Sequence, residues 1–286
     1  MPDYVAIGHL TIDRSPDGDH LGGTVLYAAL AAARAGAHAA ILTRANLTDL
    51  SPALRAELDA FASEVEIVAQ GSSGTTTFTN REAAGRRSQS LHAWAGEIDL
   101  SGLPPQWRSA PAIHIAPVAQ EIDSRQLARL SPQIMGCTPQ GWMRAWDRER
   151  FGTIRATPLR LPPDVVARID IMVISSEESV PARDVLEMVG RSGLAVVTRA
   201  DQGVRLIDRG RRVDLESYSV KVLDTTGAGD VFAGALIAER AERQPVVASA
   251  RYATAAAALK VTGRGINAVP GREAVEQLIE HARGRI

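Results

Sequence analysis

A chain of 286 residues can bury a sizeable core, and 45% hydrophobic against 23% charged residues are ordinary globular proportions, which exclude disordered, collagen-like and fibrous classes. Its 32 basic and 33 acidic residues are mixed along the chain and leave a formal net charge of -1, so no basic field announces nucleic acid or an acidic membrane, and neither is expected as a partner. Cys137 is the only cysteine, which excludes an intramolecular disulfide and a multi-thiolate zinc cage and fits a reducing cytoplasm.

Met1 to Leu10 has no basic region followed by a long apolar stretch, and nowhere do about eighteen apolar residues run together, so neither secretion nor membrane insertion is expected. Within that segment, Tyr4-Val-Ala-Ile-Gly8 is a short apolar run ending in glycine, which predicts a buried parallel strand. Leu10 to Leu21 is polar and too irregular for a helix, so it is expected to leave the main sheet. Gly22-Gly23 then open an alanine-rich helix from about Thr24 to Ala35, closed by Gly36, and Ala39 to Thr43 reads as a second strand. From Gly74 to Trp94, two polar alternating runs flank Glu82-Ala-Ala-Gly85, a β-hairpin placed to cover a cleft. Ala112 to Ala116, Ile134 to Cys137, Ile171 to Ile174 and Ala195 to Thr198 are further short strands, with helices near Asp123 to Leu130 and Ala182 to Val189 between them. Three helices end the chain, about Ala228 to Arg240, Pro245 to Val261 and Arg272 to Ala282. Strands alternating with helices predict an α/β fold with a doubly wound parallel sheet, one domain over residues 1–286, and a small β-lid from segments 10–21 and 74–94. Lysine occurs only at Lys221 and Lys260, which reads as genome composition and not as mechanism.

The specific segment is Val222-Leu-Asp-Thr-Thr-Gly-Ala-Gly-Asp-Val-Phe-Ala-Gly234. Gly227-Ala228-Gly229 make a flexible turn opening a helix, where unpaired N–H groups and the helix dipole form an anion site. Asp230 sits in the first turn. A carboxylate there repels a bound phosphate and needs a reason, which is to accept a proton from a hydroxyl attacking that phosphate. The bland alternative is that Asp224 caps the turn and Asp230 steadies the helix dipole.

The complete Asp-Thr-Thr-Gly-Ala-Gly-Asp run resembles the signature of the ribokinase, or PfkB, family, and the resemblance extends in chain order over nearly the whole sequence. It implies a ribokinase-like fold, ATP as phosphoryl donor with Mg2+, Asp230 as catalytic base, and Gly227, Ala228 and Gly229 around the transferring phosphoryl group. Asp224 and Thr226 would shape the loop. Gly22-Gly23 resembles the family's di-glycine substrate motif, with Asp13 at its early substrate-binding aspartate. Asn46 stands where substrate is often contacted, and reads equally as a turn asparagine. Ile174-Ser-Ser-Glu-Glu178 matches the Asn-x-x-Glu motif with Ser175 replacing asparagine, and implies Glu178 near Mg2+; helix capping by the serines and a solvated carboxylate are the alternatives. Thr198 and Gly203 lie in a run similar to the Thr-x-Gly-x-x-Gly nucleotide loop, with Ala200 at the middle glycine. Thr254 replaces a common asparagine on the adenine-side helix, where plain core packing is equally open. Val261 to Asn267 would border the nucleotide and a monovalent-cation loop, a requirement that spacing leaves open.

Substrate choice rests on Gln140-Gly-Trp-Met-Arg144, which looks like the Gln-Gly-x-x-Arg form of the family's myo-inositol kinase branch, and on Tyr27, where ribokinases usually have asparagine. Gln140 would bond ring hydroxyls and Arg144 clamp an anionic oxygen; Arg144 also reads as a surface charge on Trp142 or Trp146. The expected substrate is a polyol such as myo-inositol, the alternatives being ribose, a 2-keto-3-deoxy sugar acid or a nucleoside. A nucleotide- or sugar-binding sensor without turnover is the rival of another class. His9 and His114 read as buried or capping histidines. His92 and Trp94 are candidates to touch substrate or to pack the hairpin, and a homodimer is left open.

Overall fold

The computed structural model describes residues 1–83 and 86–283; Ala84 and Gly85, the middle of the expected hairpin turn, lie outside them. The short apolar runs become the centre of a large sheet because both of their faces are covered. β1 (Tyr4–Ile7) places Tyr4 and Ala6 in the apolar cluster on one face, and Val5 and Ile7 in that on the other. The chain then leaves this sheet through a hairpin, β2 (Thr11–Ser15) and β3 (Gly18–Gly22), before α1 (Thr24–Arg34), β4 (Ala39–Ala45), α2 (Pro52–Ala62) and β5 (Glu66–Gly71). α2 and β5 were not anticipated, although Ser51 accepts from Leu54 N and a proline opens the helix, the ordinary start signal.

A second excursion forms β6 (Thr76–Ala83) and β7 (Arg86–Ala93), followed by β8 (Ala112–Ile115), β9 (Ile134–Cys137), β10 (Arg144–Asp147) and β11 (Phe151–Ala156). The expected helix near Asp123 to Leu130 is instead a 3-10 segment over Ser124–Arg129, started by Asp123 accepting from Arg125 N. Six residues are too few to repay α-nucleation, and tight 3-10 turns suit such short pieces. The chain continues through α3 (Pro163–Val166), β12 (Ile171–Ser175), α4 (Arg183–Ser192), β13 (Leu194–Thr198), β14 (Val204–Asp208) and β15 (Arg211–Leu215), and closes on α5 (Ala228–Ala241), α6 (Val246–Lys260) and α7 (Arg272–Arg283).

Among the described residues the main sheet has nine strands in the order β15-β14-β13-β12-β9-β8-β1-β4-β5. From β5 to β13 neighbours are parallel, as expected, but β14 and β15 continue antiparallel to β13, so the edge is mixed. The short turn between β13 and β14 leaves no room for the crossover that parallel pairing needs. Residues of α1, α2, α5 and α6 cover one face, and α3, α4 and the 3-10 segment Ser124–Arg129 the other. α1 and α5 approach closely because Gly234 has no side chain: a Cβ there would lie 2.1 Å from Ala28 O.

The second sheet has six strands, β10-β11-β7-β6-β2-β3, and takes up both segments expected outside the main sheet. β2 pairs parallel with β6, joining Asp13 to Phe78. β10 and β11 were not foreseen as part of it; β11 pairs with β7 through Gly152 and Leu91. One face packs a small core of Phe78, Leu91, Val118, Ala119 and Trp146, the one-sided burial usual for antiparallel sheets. Thr76 Oγ1 to His9 Nδ1 at 2.8 Å and Trp94 Nε1 to Ala119 O at 2.9 Å pin this sheet to the ends of the main one.

Candidate active site

The segment Asp224 to Asp230 becomes a tight loop by local chemistry. Thr226 N donates to Asp224 Oδ1 at 2.9 Å, an Asx turn. Gly227 then takes φ +76° and starts α5 without any side chain capping it, a left-handed conformation glycine adopts without steric penalty. Ala228 N donates to Thr225 O at 3.2 Å and Val231 N to Gly227 O at 2.8 Å, so the loop N–H groups an anion would meet are those of Gly227 and Gly229. Leu223 N at 2.7 Å and Asp224 N at 3.2 Å donate to Val261 O, tying this loop to the end of α6.

Tyr27, from α1, is the floor shared by the candidate residues. A Cβ on Gly227 would lie 2.6 Å from Tyr27 Cγ, so the loop rests directly on the ring. The phenol is 5% exposed. Burial pushes its hydroxyl far up, and the carboxylates of Asp13, Asp230, Asp224 and Glu57 push it further. Asp13 and Asp230, about two hundred residues apart in sequence, therefore act on the same ring. The di-glycine is required by close approach: a Cβ on Gly22 would meet Asp13 Oδ2 at 2.5 Å, and on Gly23, at φ +95°, His9 O at 2.3 Å.

A second group lies at the ends of β9, β12 and β13, the carboxyl edge where ligands of α/β sheets bind. Gln140 Nε2 donates to Glu178 Oε1 at 2.9 Å, while Ser175 N and Oγ donate to Glu178 Oε2 at 2.9 and 3.0 Å. Gln140 and Glu178, expected in different roles, are thus one hydrogen-bonded pair. Gly141 is packed against the 117–119 turn, where a Cβ would fall 2.5 Å from Val118 N. Thr198 Oγ1 reaches Ile174 O at 3.3 Å beside Ser175. Gly203 has φ +79° and no room for a Cβ, and Ala200, at the expected middle glycine, holds φ +51°.

Other candidates sit apart. Arg144 Nη1 donates to Val118 O at 2.7 Å with its guanidinium 5.5 Å from the Phe78 ring centre, so it packs on the second sheet. Arg148 is the cation stacked on Trp146 and Trp94, at 4.2 and 4.7 Å. Asn46 Oδ1 accepts from Thr48 N and Oγ1 at 3.1 and 2.8 Å, the geometry of a turn asparagine. Thr254 is 4% exposed and bonds back to Ala250 O at 2.7 Å inside α6. His92 Nε2 meets Thr79 Oγ1 across the hairpin at 2.9 Å.

His114 is buried between Tyr4 Oη at 2.6 Å and Thr138 Oγ1 at 3.0 Å, and burial lowers its pKa to about 3. His9 is likewise lowered by burial, against the opposing pull of Glu121. Glu121 escaped the sequence reading. Fully buried, it accepts from His9 N at 3.0 Å, Val118 N at 2.9 Å and Ala119 N at 2.6 Å, fixing the turn on which Gly141 and Arg144 rest. Only an acidic residue two positions beyond Ala119 hinted at it. No group of three or more His, Cys, Asp or Glu able to hold a metal occurs among the described residues, and no helix among them is long and apolar enough to cross a membrane.

Residues 170–271 match the pfkB family carbohydrate kinases. A ribokinase of Bacillus subtilis is 38% identical over 84 residues, 29% of each chain, and a cytidine kinase of Thermococcus kodakarensis is 25% identical over 275 residues, 86% of this chain and 91% of the relative. The first curated relatives are matched over only 29% to 40% of their own lengths. In fold, a pyrophosphate-dependent kinase of the ribokinase family complexed with a pyrophosphate analog and myo-inositol gives a TM-score of 0.79 at 20% identity, covering 96% of this chain and 99% of the other. An Arabidopsis thaliana ribokinase complexed with ribose and ATP gives 0.73 at 20%, covering 97% and 98%. The match to the pfkB family carbohydrate kinases thus covers residues 170–271, the part that holds the signature segment, and the chain as a whole has a ribokinase-like fold.

Proposed function

We propose that the chain is an ATP-dependent kinase that phosphorylates a hydroxyl of a small polyol or sugar, with myo-inositol as the preferred acceptor. The observation that carries the reading is the convergence of Asp13, Asp230 and the Gly227 turn on Tyr27. A hydroxyl oriented by Asp13 would face Asp230, which takes its proton as the oxygen attacks the terminal phosphorus in line. The N–H groups of Gly227 and Gly229 stabilise the charge that develops.

Glu178 would help hold Mg2+ at the donor phosphates, and the metal would supply positive charge against theirs. A lone candidate carboxylate, Glu178, suits a metal held chiefly by phosphates and water. Its three donors, Ser175 N and Oγ and Gln140 Nε2, would orient it. Closing the second sheet over the cleft would exclude water. The same reading takes the chain as one cytoplasmic kinase domain.

Myo-inositol is favoured by Gln140 and Tyr27, and a structural neighbour complexed with that polyol shares the fold. A nucleoside is the second reading, since the cytidine kinase relative aligns over 86% of the chain. The test is initial-rate phosphorylation of myo-inositol, ribose, fructose, 2-keto-3-deoxygluconate, adenosine and cytidine, with ATP and with pyrophosphate as donor. A tenfold preference for cytidine or ribose would end the polyol assignment. A preference for pyrophosphate would end the ATP assignment. Binding of donor and acceptor with no turnover would leave a sensor instead.

A further inference from the structure

Lys260, the last residue of α6, is 0% exposed, and its Nζ has no hydrogen-bond partner among the described residues. A buried ammonium in that condition is costly unless something nearby makes use of its charge. Its surroundings say what. Nζ lies 5.5 Å from the Tyr27 ring centre, the ring on which Gly227 rests. The following residue, Val261, accepts the N–H groups of Leu223 and Asp224 at the entrance to the same loop. Burial lowers the pKa of Lys260 and the Asp224 carboxylate opposes that shift, so the two groups are electrostatically coupled. The amine is therefore held by apolar packing and by the face of an aromatic ring, behind a loop whose front offers N–H groups to an anion.

We propose that Lys260 is a positioning residue that puts a fixed positive charge behind the phosphoryl-binding loop, in place of a dissolved monovalent cation. The inference rests on the kinase reading for its meaning, but donor binding tests it separately. The stretch Val261 to Asn267 with Asp224, where a monovalent cation would be sought, does not fit a second cation, because the buried Lys260 ammonium adjoins that stretch, whose Val261 O holds Asp224 N at 3.2 Å, and its charge would repel another. With the charge built into the chain, donor affinity is independent of K+ or Na+. The lysine also acts through Tyr27, whose ring it holds against Gly227, so its loss weakens donor binding more than acceptor binding.

The experiment measures binding of imidodiphosphate and of a non-hydrolysable ATP analogue by calorimetry, in potassium and in tetramethylammonium buffers, for the parent, Lys260→Met and Lys260→Ala. For the parent we expect affinities within twofold in the two buffers. Lys260→Met keeps the side-chain volume, removes an unpaired buried charge, and should fold at least as stably while losing about tenfold or more in donor affinity. In Lys260→Ala, ammonium or potassium should restore part of that loss and tetramethylammonium, too large for the space, should not. Donor affinity in folded Lys260→Met within twofold of the parent overturns the proposal, as does tenfold loss for the parent in tetramethylammonium. Should Lys260→Met fail to fold, absence of rescue in Lys260→Ala overturns it. A parent that binds the analogues through Lys260 and phosphorylates none of the acceptors would sink the kinase reading and leave this one standing.

Discussion

Gly227 and Gly229 flank one alanine in the signature loop, yet the structure assigns them different work, and alanine substitutions should separate it. Gly227 holds φ +76°, and a Cβ there would meet Tyr27 Cγ, Cδ1 and Cδ2 at 2.6 to 2.8 Å. A left-handed backbone costs a non-glycine residue about 1–2 kcal/mol. Forcing the ring away is overpacking, about 1–3 kcal/mol more, and the ring has little freedom to retreat with the Lys260 amine 5.5 Å from its centre. Gly227→Ala should therefore lose about 2–5 kcal/mol, a fall in Tm on the order of 3–8 °C for a chain of this length. Gly229 has nothing within 4 Å of an added Cβ and lies in the first turn of α5. Gly229→Ala should be neutral or stabilising by up to about 1 kcal/mol. On the proposed reading its methyl would nevertheless stand where a phosphoryl group comes close to the backbone, so donor affinity should fall at least tenfold with Tm unchanged or raised. The assay pairs thermal unfolding with calorimetric binding of an ATP analogue. A Gly229→Ala protein with unchanged donor affinity, or a Gly227→Ala protein with unchanged Tm, would refute the steric reasoning behind the anion cradle.

Further expectations concern single side chains. Asp230→Asn should leave donor and acceptor affinities within a few-fold and lower turnover by roughly 10² to 10⁴; turnover within threefold of the parent would remove Asp230 as the base. Gln140→Leu deletes the donor to Glu178 as well as any bond to acceptor, and should lower kcat/KM for myo-inositol about tenfold, roughly 1.4 kcal/mol. An equal loss for every acceptor would show that Gln140 acts only through Glu178. Ala200→Gly relieves a left-handed φ of +51° and should raise stability by about 1 kcal/mol; a lowered Tm would contradict it. His114 stays neutral in the fold, with its pKa lowered to about 3 by burial, whereas the unfolded chain takes up the proton near pH 6.5. Its stabilising contribution is complete well above pH 6.5 and is lost as pH falls towards 3, about 1.6 kcal/mol between pH 6.5 and 5. Urea unfolding at the two pH values should show a loss of at least that size, and an unchanged midpoint would refute it.

Local chemistry made part of this protein legible in advance. The parallel strands announced themselves because residues buried on both faces form uninterrupted apolar runs. The loop from Asp224 to Asp230 did so because glycine takes the left-handed turn at Gly227 without steric penalty. α2 and the strands β10, β11, β14 and β15 were missed for a related reason: half-exposed elements show weaker periodicity, and strand partners lie far off in sequence.

What only the tertiary structure decided is which side chains meet. No local pattern says that the amide of Gln140 goes to Glu178, or that Thr254 turns back onto its own helix. Nor does one say that Glu121 gathers backbone N–H groups from two segments. Lysine scarcity looked like composition. The crossing of α1, α5 and α6 takes Lys260 out of solvent and leaves its ammonium against Tyr27, where burial makes a single charge matter far more than it would in water.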